Sequence, residues 1–298
     1  MYQQGGGILD EFKNAFKRPN NELIQIILIN LAVFVVLIIL KVFLTLGGSG
    51  AFYGDIVRQL TLPSDLGDFL FRPWTIVTYF FTHEGFFHIL FNMLFLYWFG
   101  KLIVEYLGSH KVVVLYIIGG LTGGLFFMLI YNLLPYFQDR VAYSVMLGAS
   151  AGVYAVTVAA ATLLPNYTFM LMFLGPVKIK YIAIFYVFLS FAQTVGDNAG
   201  GELAHLGGAF IGFYYIKQLQ QGNDFGRWVI TTMDWFKGLF EKKSKIKVTY
   251  KKPKSSVKTT TSKTEQEEID HILDKISESG YDSLSKDEKE KLFNASKN

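Results

Sequence analysis

Residues 112–134 read VVVLYIIGGLTGGLFFMLIYNLL, a run of 23 residues without a charge. Crossing the hydrocarbon of a bilayer takes about 20 apolar residues, whereas a buried helix of a soluble protein rarely has more than about 14 in a row. The bilayer is therefore the solvent to reason with, and similar blocks extend outward on both sides of this run. Towards the N-terminus lie Leu23–Leu46, with an unbroken apolar stretch from Leu31 to Leu40, and Phe86–Leu107. Towards the C-terminus Val145–Leu164 ends at Pro165, which stops a helix. A weaker fifth stretch is expected near 176–194, after the Gly175-Pro176 break, with Lys178 and Lys180 snorkelling. The sixth, Leu203–Ile216, spans only with Gly200-Gly201 and a snorkelling Lys217 added. The fold expected is an all-α membrane protein, a six-transmembrane-helix bundle with a small helical cytoplasmic tail.

Composition agrees: 51% of the 298 residues are hydrophobic and 17% charged. The net charge of +4 belongs to a tail, since 14 of the 28 Lys and Arg residues follow Phe240. No cysteine is present, which excludes thiol catalysis, disulfides and Cys-ligated metals. Residues 1–22 lack the apolar core and small-residue cleavage site of a removable signal peptide. Lys13, Lys17, Arg18, Lys111, Lys178, Lys180 and the tail fall on one side, which the positive-inside rule makes cytoplasmic. Both termini are then inside the cell (inner) membrane. The loops near 47–85, 135–144 and 195–202 face out, with Glu202 counted among the outer-loop acids.

The expected division is a cytoplasmic segment 1–22, a six-helix domain 23–221, an interfacial helix and linker 222–264, and a cytoplasmic helical hairpin 265–298. Phe225, Trp228, Val229, Trp235, Phe236, Leu239 and Phe240 recur at spacings of three and four, which suits a helix in the interface plane. Residues 241–263 carry nine Lys, a composition attracted to anionic lipid. Ile269, Ile272, Leu273 and Ile276 mark one tail helix, and Ser285 with Glu288 forms a capping-box signature for another. No internal repeat of a two-half transporter is present.

Polar groups inside the membrane are expensive, so each is a candidate functional residue. His88 and Asn92, four apart and preceded by His83, lie about 40° apart around a helix and share a face. Alone they could equally bridge helices by hydrogen bonds. Gly148-Ala-Ser150-Ala-Gly-Val-Tyr154 places Ser150 and Tyr154 on one face, although a lone serine usually satisfies itself on the carbonyl four residues back. Ala204-His205-Leu-Gly-Gly208 with Gly212 supplies a histidine and a GxxxG contact one turn beyond it. Spans two, four and six all run outside to inside, and each candidate falls about one to two turns in, roughly 8–10 Å below the outer surface. Three unrelated packing residues have no reason to share a depth.

The residue types then fix the chemistry. Ser150 needs a base, His205 is the best placed, and no acid is expected deep in a span to orient it, which implies a dyad. His88, Asn92 and the Ser150 backbone N–H are candidate oxyanion donors, and Tyr154 is placed to hold the histidine ring.

His83-x4-His88-x3-Asn92, Gly148-x-Ser150 with Tyr154, and Ala204-His205-x2-Gly208-x3-Gly212 together resemble the rhomboid intramembrane protease family over about 23–221. Arg72-Pro-Trp74 looks like the family's structural outer-loop motif. The resemblance implies six helices, cleavage of single-pass membrane proteins near small residues by a Ser150–His205 pair via an acyl-enzyme, and a mobile gate around 195–202. His88 and Asn92 would stabilise the transition state, with Tyr154, Gly148, His83 and Gly208 supporting. No cofactor, metal or nucleic acid is called for, and the tail, which looks like a small domain of some bacterial rhomboids, has no assigned partner. Ala151 departs from the glycine common after the serine and would narrow the site slightly.

Three rival readings carry less weight. A zinc site on His83 and His88 fails because five residues place them about 140° apart, not the 40° of an i, i+4 pair. A non-catalytic rhomboid-like binding or quality-control factor usually lacks the serine or the histidine, and both are here. A channel or transporter is opposed by the absence of repeats and midplane charges.

Overall fold

The computed structural model describes residues 8–171, 174–196, 198–240 and 263–296. By its internal contacts the chain separates into two units, Met1–Lys242 and Lys243–Asn298. The Lys-rich stretch 241–262 lies outside the described residues.

In the first unit, a short helix α1 (Ile8–Lys17) precedes α2 (Glu22–Leu46). The region 47–85 is structured by α3 (Gly50–Arg58), strand β1 (Leu62–Pro63), α4 (Leu66–Phe71) and α5 (Thr75–Thr78). Then follow α6 (Phe86–Leu107), α7 (Ser109–Leu133), β2 (Val145–Met146), α8 (Ser150–Leu163), the hairpin β3 (Thr168–Leu171) and β4 (Gly175–Lys178), α9 (Ile179–Ala192), α10 (Ala199–Gln220) and α11 (Arg227–Phe240). Among the described residues α2, α6 and α7 are long and apolar enough to cross a membrane. Helices α8 and α9 are apolar but have 14 residues each.

Several boundaries differ from the sequence reading. The third helix starts at Ser109, because Gly108 at φ 88° turns the chain directly from α6 into α7. Residues 145–149 are not helical: Met146 and Val145 pair antiparallel with Leu62 and Pro63, and Gly148 has φ 115°. The apolar run there thus begins as a strand edge, and Ser150 is the first residue of α8, not a residue one to two turns inside it. The expected start of the fifth helix near 176 is instead β4, paired with β3 through Gly175 at φ 70°. Helix α10 begins at Ala199, so Gly200, Gly201 and Glu202 belong to its first turns and not to a loop.

Polar groups buried among apolar helices must be satisfied internally. Asn30 of α2 donates to the Tyr116 hydroxyl of α7 at 3.0 Å, and Tyr116 donates to the Phe80 carbonyl at 2.6 Å. Tyr79 donates to the Gly120 carbonyl at 2.6 Å, so the segment entering α6 is tied to α7 at two points. In the first turn of α7, Lys111 pairs with Asp224, which also accepts from the Tyr215 hydroxyl at 2.8 Å. Val229 of α11 is buried in the core, while Trp228, Trp235, Phe236 and Leu239 are exposed.

The second unit holds α12 (Lys263–Ser279) and α13 (Lys286–Ala295). Ser285 and Glu288 form the capping box that their spacing predicts, and Lys275 joins Glu288 at 2.9 Å. Lys291 of α13 reaches Glu268 of α12 at 2.7 Å.

Candidate active site

The turn into α8 is held by its neighbours. The Gly148 N–H donates to the Tyr79 carbonyl at 2.9 Å, and the Ala149 N–H donates to His83 Nε2 at 3.2 Å. A Cβ at Gly148 would stand 2.6 Å from His88 Cε1, so both the backbone angle and the histidine ring demand glycine. Burial, and after it the neighbouring His88, push the His83 pKa down to about 3, which keeps the ring neutral and able to accept. Helix α8 has no side-chain cap, and its first backbone acceptor, the Ala149 carbonyl, serves Val153. The Ser150 N–H is thus one of the helix's unpaired first-turn donors, at the positive end of its dipole.

From α6, His88 and Asn92 face the same cavity as Ser150. Asn92 Nδ2 donates to the His88 carbonyl at 2.8 Å, which fixes the amide and leaves its second hydrogen unused by that bond. From α10, His205 stacks on Tyr154 with ring centres 4.2 Å apart and planes 7° from parallel. The close approach of α10 explains the stack: a Cβ at Gly208 would lie 2.1 Å from the Ala151 carbonyl oxygen, and one at Gly212 2.2 Å from that of Ala155. Ala151 is buried and does not line the cavity; its methyl faces Gly123 of α7, so it does not narrow the site.

Ser150, His205, His88, Asn92 and Tyr154 line one cavity of about 780 Å³, with Phe87, Phe91, Phe95, Val153 and Tyr186 as its apolar wall. Gly148 and His83 brace it from behind, and Gly208 sets the α8–α10 spacing. Among the described residues no hydrogen bond joins Ser150 to His205; such contacts are often loose before substrate enters.

Two side chains to which the sequence reading gave no part in the site complete the surroundings of His205. Its Nδ1 lies 3.1 Å from Ser190 Oγ and 3.2 Å from Glu202 Oε2. Ser190 donates to the Tyr154 hydroxyl at 2.8 Å, and Tyr154 donates to the Tyr186 carbonyl at 3.4 Å. The expectation that no acid reaches the histidine is therefore corrected. Glu202 is counted in the sequence reading among the acids of the loop near 195–202, yet α10 already includes it, and the i, i+3 spacing to His205 was the signal for their contact. Ser190 carried no sequence signal beyond being polar within an apolar stretch.

Comparison with known proteins points one way. The family model described as "Rhomboid domain" matches residues 71–221. A second, a family of unknown function (DUF6576), matches 260–298. The chain is 28% identical over 160 residues to "RHOMBOID-like protein 12, mitochondrial" of Arabidopsis thaliana, covering 51% of this chain and 48% of that protein. It is 29% identical over 163 residues to "Rhomboid-like protein 16, chloroplastic" of the same plant, covering 51% and 50%. The chain thus spans about half the length of the curated relatives it matches.

Proposed function

The chain belongs to the rhomboid family, and from that premise we propose that it is an intramembrane serine endopeptidase that cuts single-pass membrane proteins in or near their transmembrane segments. The observation that carries this reading is the convergence of Ser150, His205, His88 and Asn92, from three helices, on one cavity with an apolar wall. Helices α2 and α6–α10 are the six spans, and 23–221 is the protease domain, flanked by cytoplasmic segments 1–22, 222–264 and 265–298. The site opens to the outer side of the cell membrane, because the basic loops hold both termini inside.

In this reading His205 removes the Ser150 proton as Oγ attacks the scissile carbonyl. The developing oxyanion meets the Ser150 N–H, Asn92 Nδ2 and His88, donors already in place before reaction. Collapse of the tetrahedral intermediate breaks the C–N bond, His205 returns the proton to the leaving amine, and water then hydrolyses the acyl-enzyme by the same base. The apolar wall of Phe87, Phe91, Phe95 and Tyr186 suits an apolar substrate segment. A fluorophosphonate probe is expected to label the wild type and not Ser150→Ala, with chelators leaving cleavage unchanged. Chelator-sensitive cleavage that persists in folded Ser150→Ala would overturn the assignment.

A further inference from the structure

A ring nitrogen on a neutral histidine either donates or accepts, and the groups around it decide which. Ser190 spends its hydrogen on the Tyr154 hydroxyl, and Tyr154 spends its own on the Tyr186 carbonyl. Ser190 Oγ therefore faces His205 Nδ1 as an acceptor. Glu202 Oε2, on the other side of the same nitrogen, is an acceptor whenever the carboxylate is ionised. Two acceptors at 3.1 and 3.2 Å leave Nδ1 one role, that of a shared donor.

We propose that Glu202 and Ser190 are positioning residues that lock the proton of His205 on Nδ1, so that Nε2 presents its lone pair as the base for Ser150. This rests on the protease reading and deepens it: the pair becomes a relay of Glu202, His205 and Ser150, with Ser190 as second acceptor. A carboxylate as buried as Glu202 is costly unless its charge is answered. The protonated imidazole formed when His205 takes the serine proton answers it, at the moment the tetrahedral intermediate exists. The Tyr154 stack holds the ring plane, and the two acceptors fix its rotation within that plane.

The test uses the full chain, ¹⁵N-labelled at histidine, in lipid nanodiscs, with the His205 signals assigned by their loss in His205→Gln. The wild type is expected to show a protonated Nδ1 and an unprotonated Nε2 at neutral pH. In the Ser190→Ala/Glu202→Ala double variant a proton on Nε2 is expected to appear, with kcat down by about 10²-fold or more and KM held. Glu202→Asp is expected to restore most of the kcat lost in Glu202→Ala. An unprotonated Nδ1 in the wild type overturns the proposal without any variant having to fold. Loss of activity with the tautomer unchanged overturns it too, by showing a merely structural role. If instead wild-type Ser150 resists the fluorophosphonate while the ring behaves as stated, the protease reading falls and the tautomer assignment stands.

Discussion

Helix α10 meets α8 backbone to backbone, where Gly208 and Gly212 leave no room for even a methyl against the carbonyls of Ala151 and Ala155. Helix α9 meets the same cavity differently: it buries Ile179, Ala183 and Ser190, and leaves Ile184, Phe185, Phe188 and Phe191 exposed. The serine and the histidine ride on the first kind of contact, which fixes their spacing through groups that cannot change rotamer. The second kind reaches the site through Ser190 and Tyr186, held by hydrogen bonds to Tyr154 and His205 that can be broken and remade. On the proposed function the reacting groups sit on the stiff side of the cavity, and adaptability on the other.

The largest test of this contrast is on the stiff side. Ser150→Ala and His205→Ala are each expected to lower kcat by about 10⁴-fold or more, with the double variant hardly worse, because nucleophile and base act as a unit. Additive losses in a gel-based cleavage assay would mean that they do not. His88→Ala and Asn92→Ala are expected to cost about 10²–10³-fold each and to leave residual cleavage, since the Ser150 N–H survives as a donor.

A smaller effect tests the packing itself. Gly208→Leu is expected to cost about 1–3 kcal/mol of stability by overpacking against Ala151, with cleavage lost from the protein that remains folded; unfolding in detergent with chemical denaturant reads it. On the α9 side, Ile184→Ala and Phe188→Ala are expected to stay within about 0.5 kcal/mol in the same assay. Losses matching that of Gly208→Leu would erase the distinction between the two regions.

These residues also mark what was readable beforehand. Helix α6 is found over Phe86–Leu107, as its apolar run predicts, and α2 starts one residue before the expected Leu23. Hydropathy locates such helices because it is a property of whole segments. It could not place Ser150 at the first residue of α8, because strand pairing with Leu62 and Pro63 and a left-handed Gly148 override an apolar run. Nor could it join Glu202 to His205, since an acid just before the apolar run from Leu203 reads as loop, although α10 begins at Ala199 and packs there so closely that a Cβ at Gly200 would stand 2.8 Å from Phe127. The motif residues were legible by type and spacing; the hydrogen bonds that Ser190 makes to Tyr154 and His205 depend on α9 and had no linear pattern.

The smallest effect lies in the second unit and serves as a control on the first. Hydrogen bonds from Lys275, then from the Ser285 N–H and hydroxyl, hold the Glu288 pKa down from 4.5 to about 2. A depressed carboxylate stabilises fully above its unfolded value and loses that contribution as pH falls through the folded one. Helical NMR shifts of 286–295 are therefore expected to weaken between about pH 4.5 and pH 2, and Glu288→Gln is expected to flatten that response. An unchanged acid response in Glu288→Gln would assign it to another group.

The glycine contact between α8 and α10 also sets a schedule. His205 follows Ser150 by 55 residues, which a ribosome adds in about 3–11 s at 5–20 residues per second. Through that interval the serine helix has neither its base nor the ring that stacks on Tyr154. On the proposed chemistry the newborn chain is harmless to every other helix entering the same membrane until α10 docks, so the order of synthesis itself supplies a safety delay.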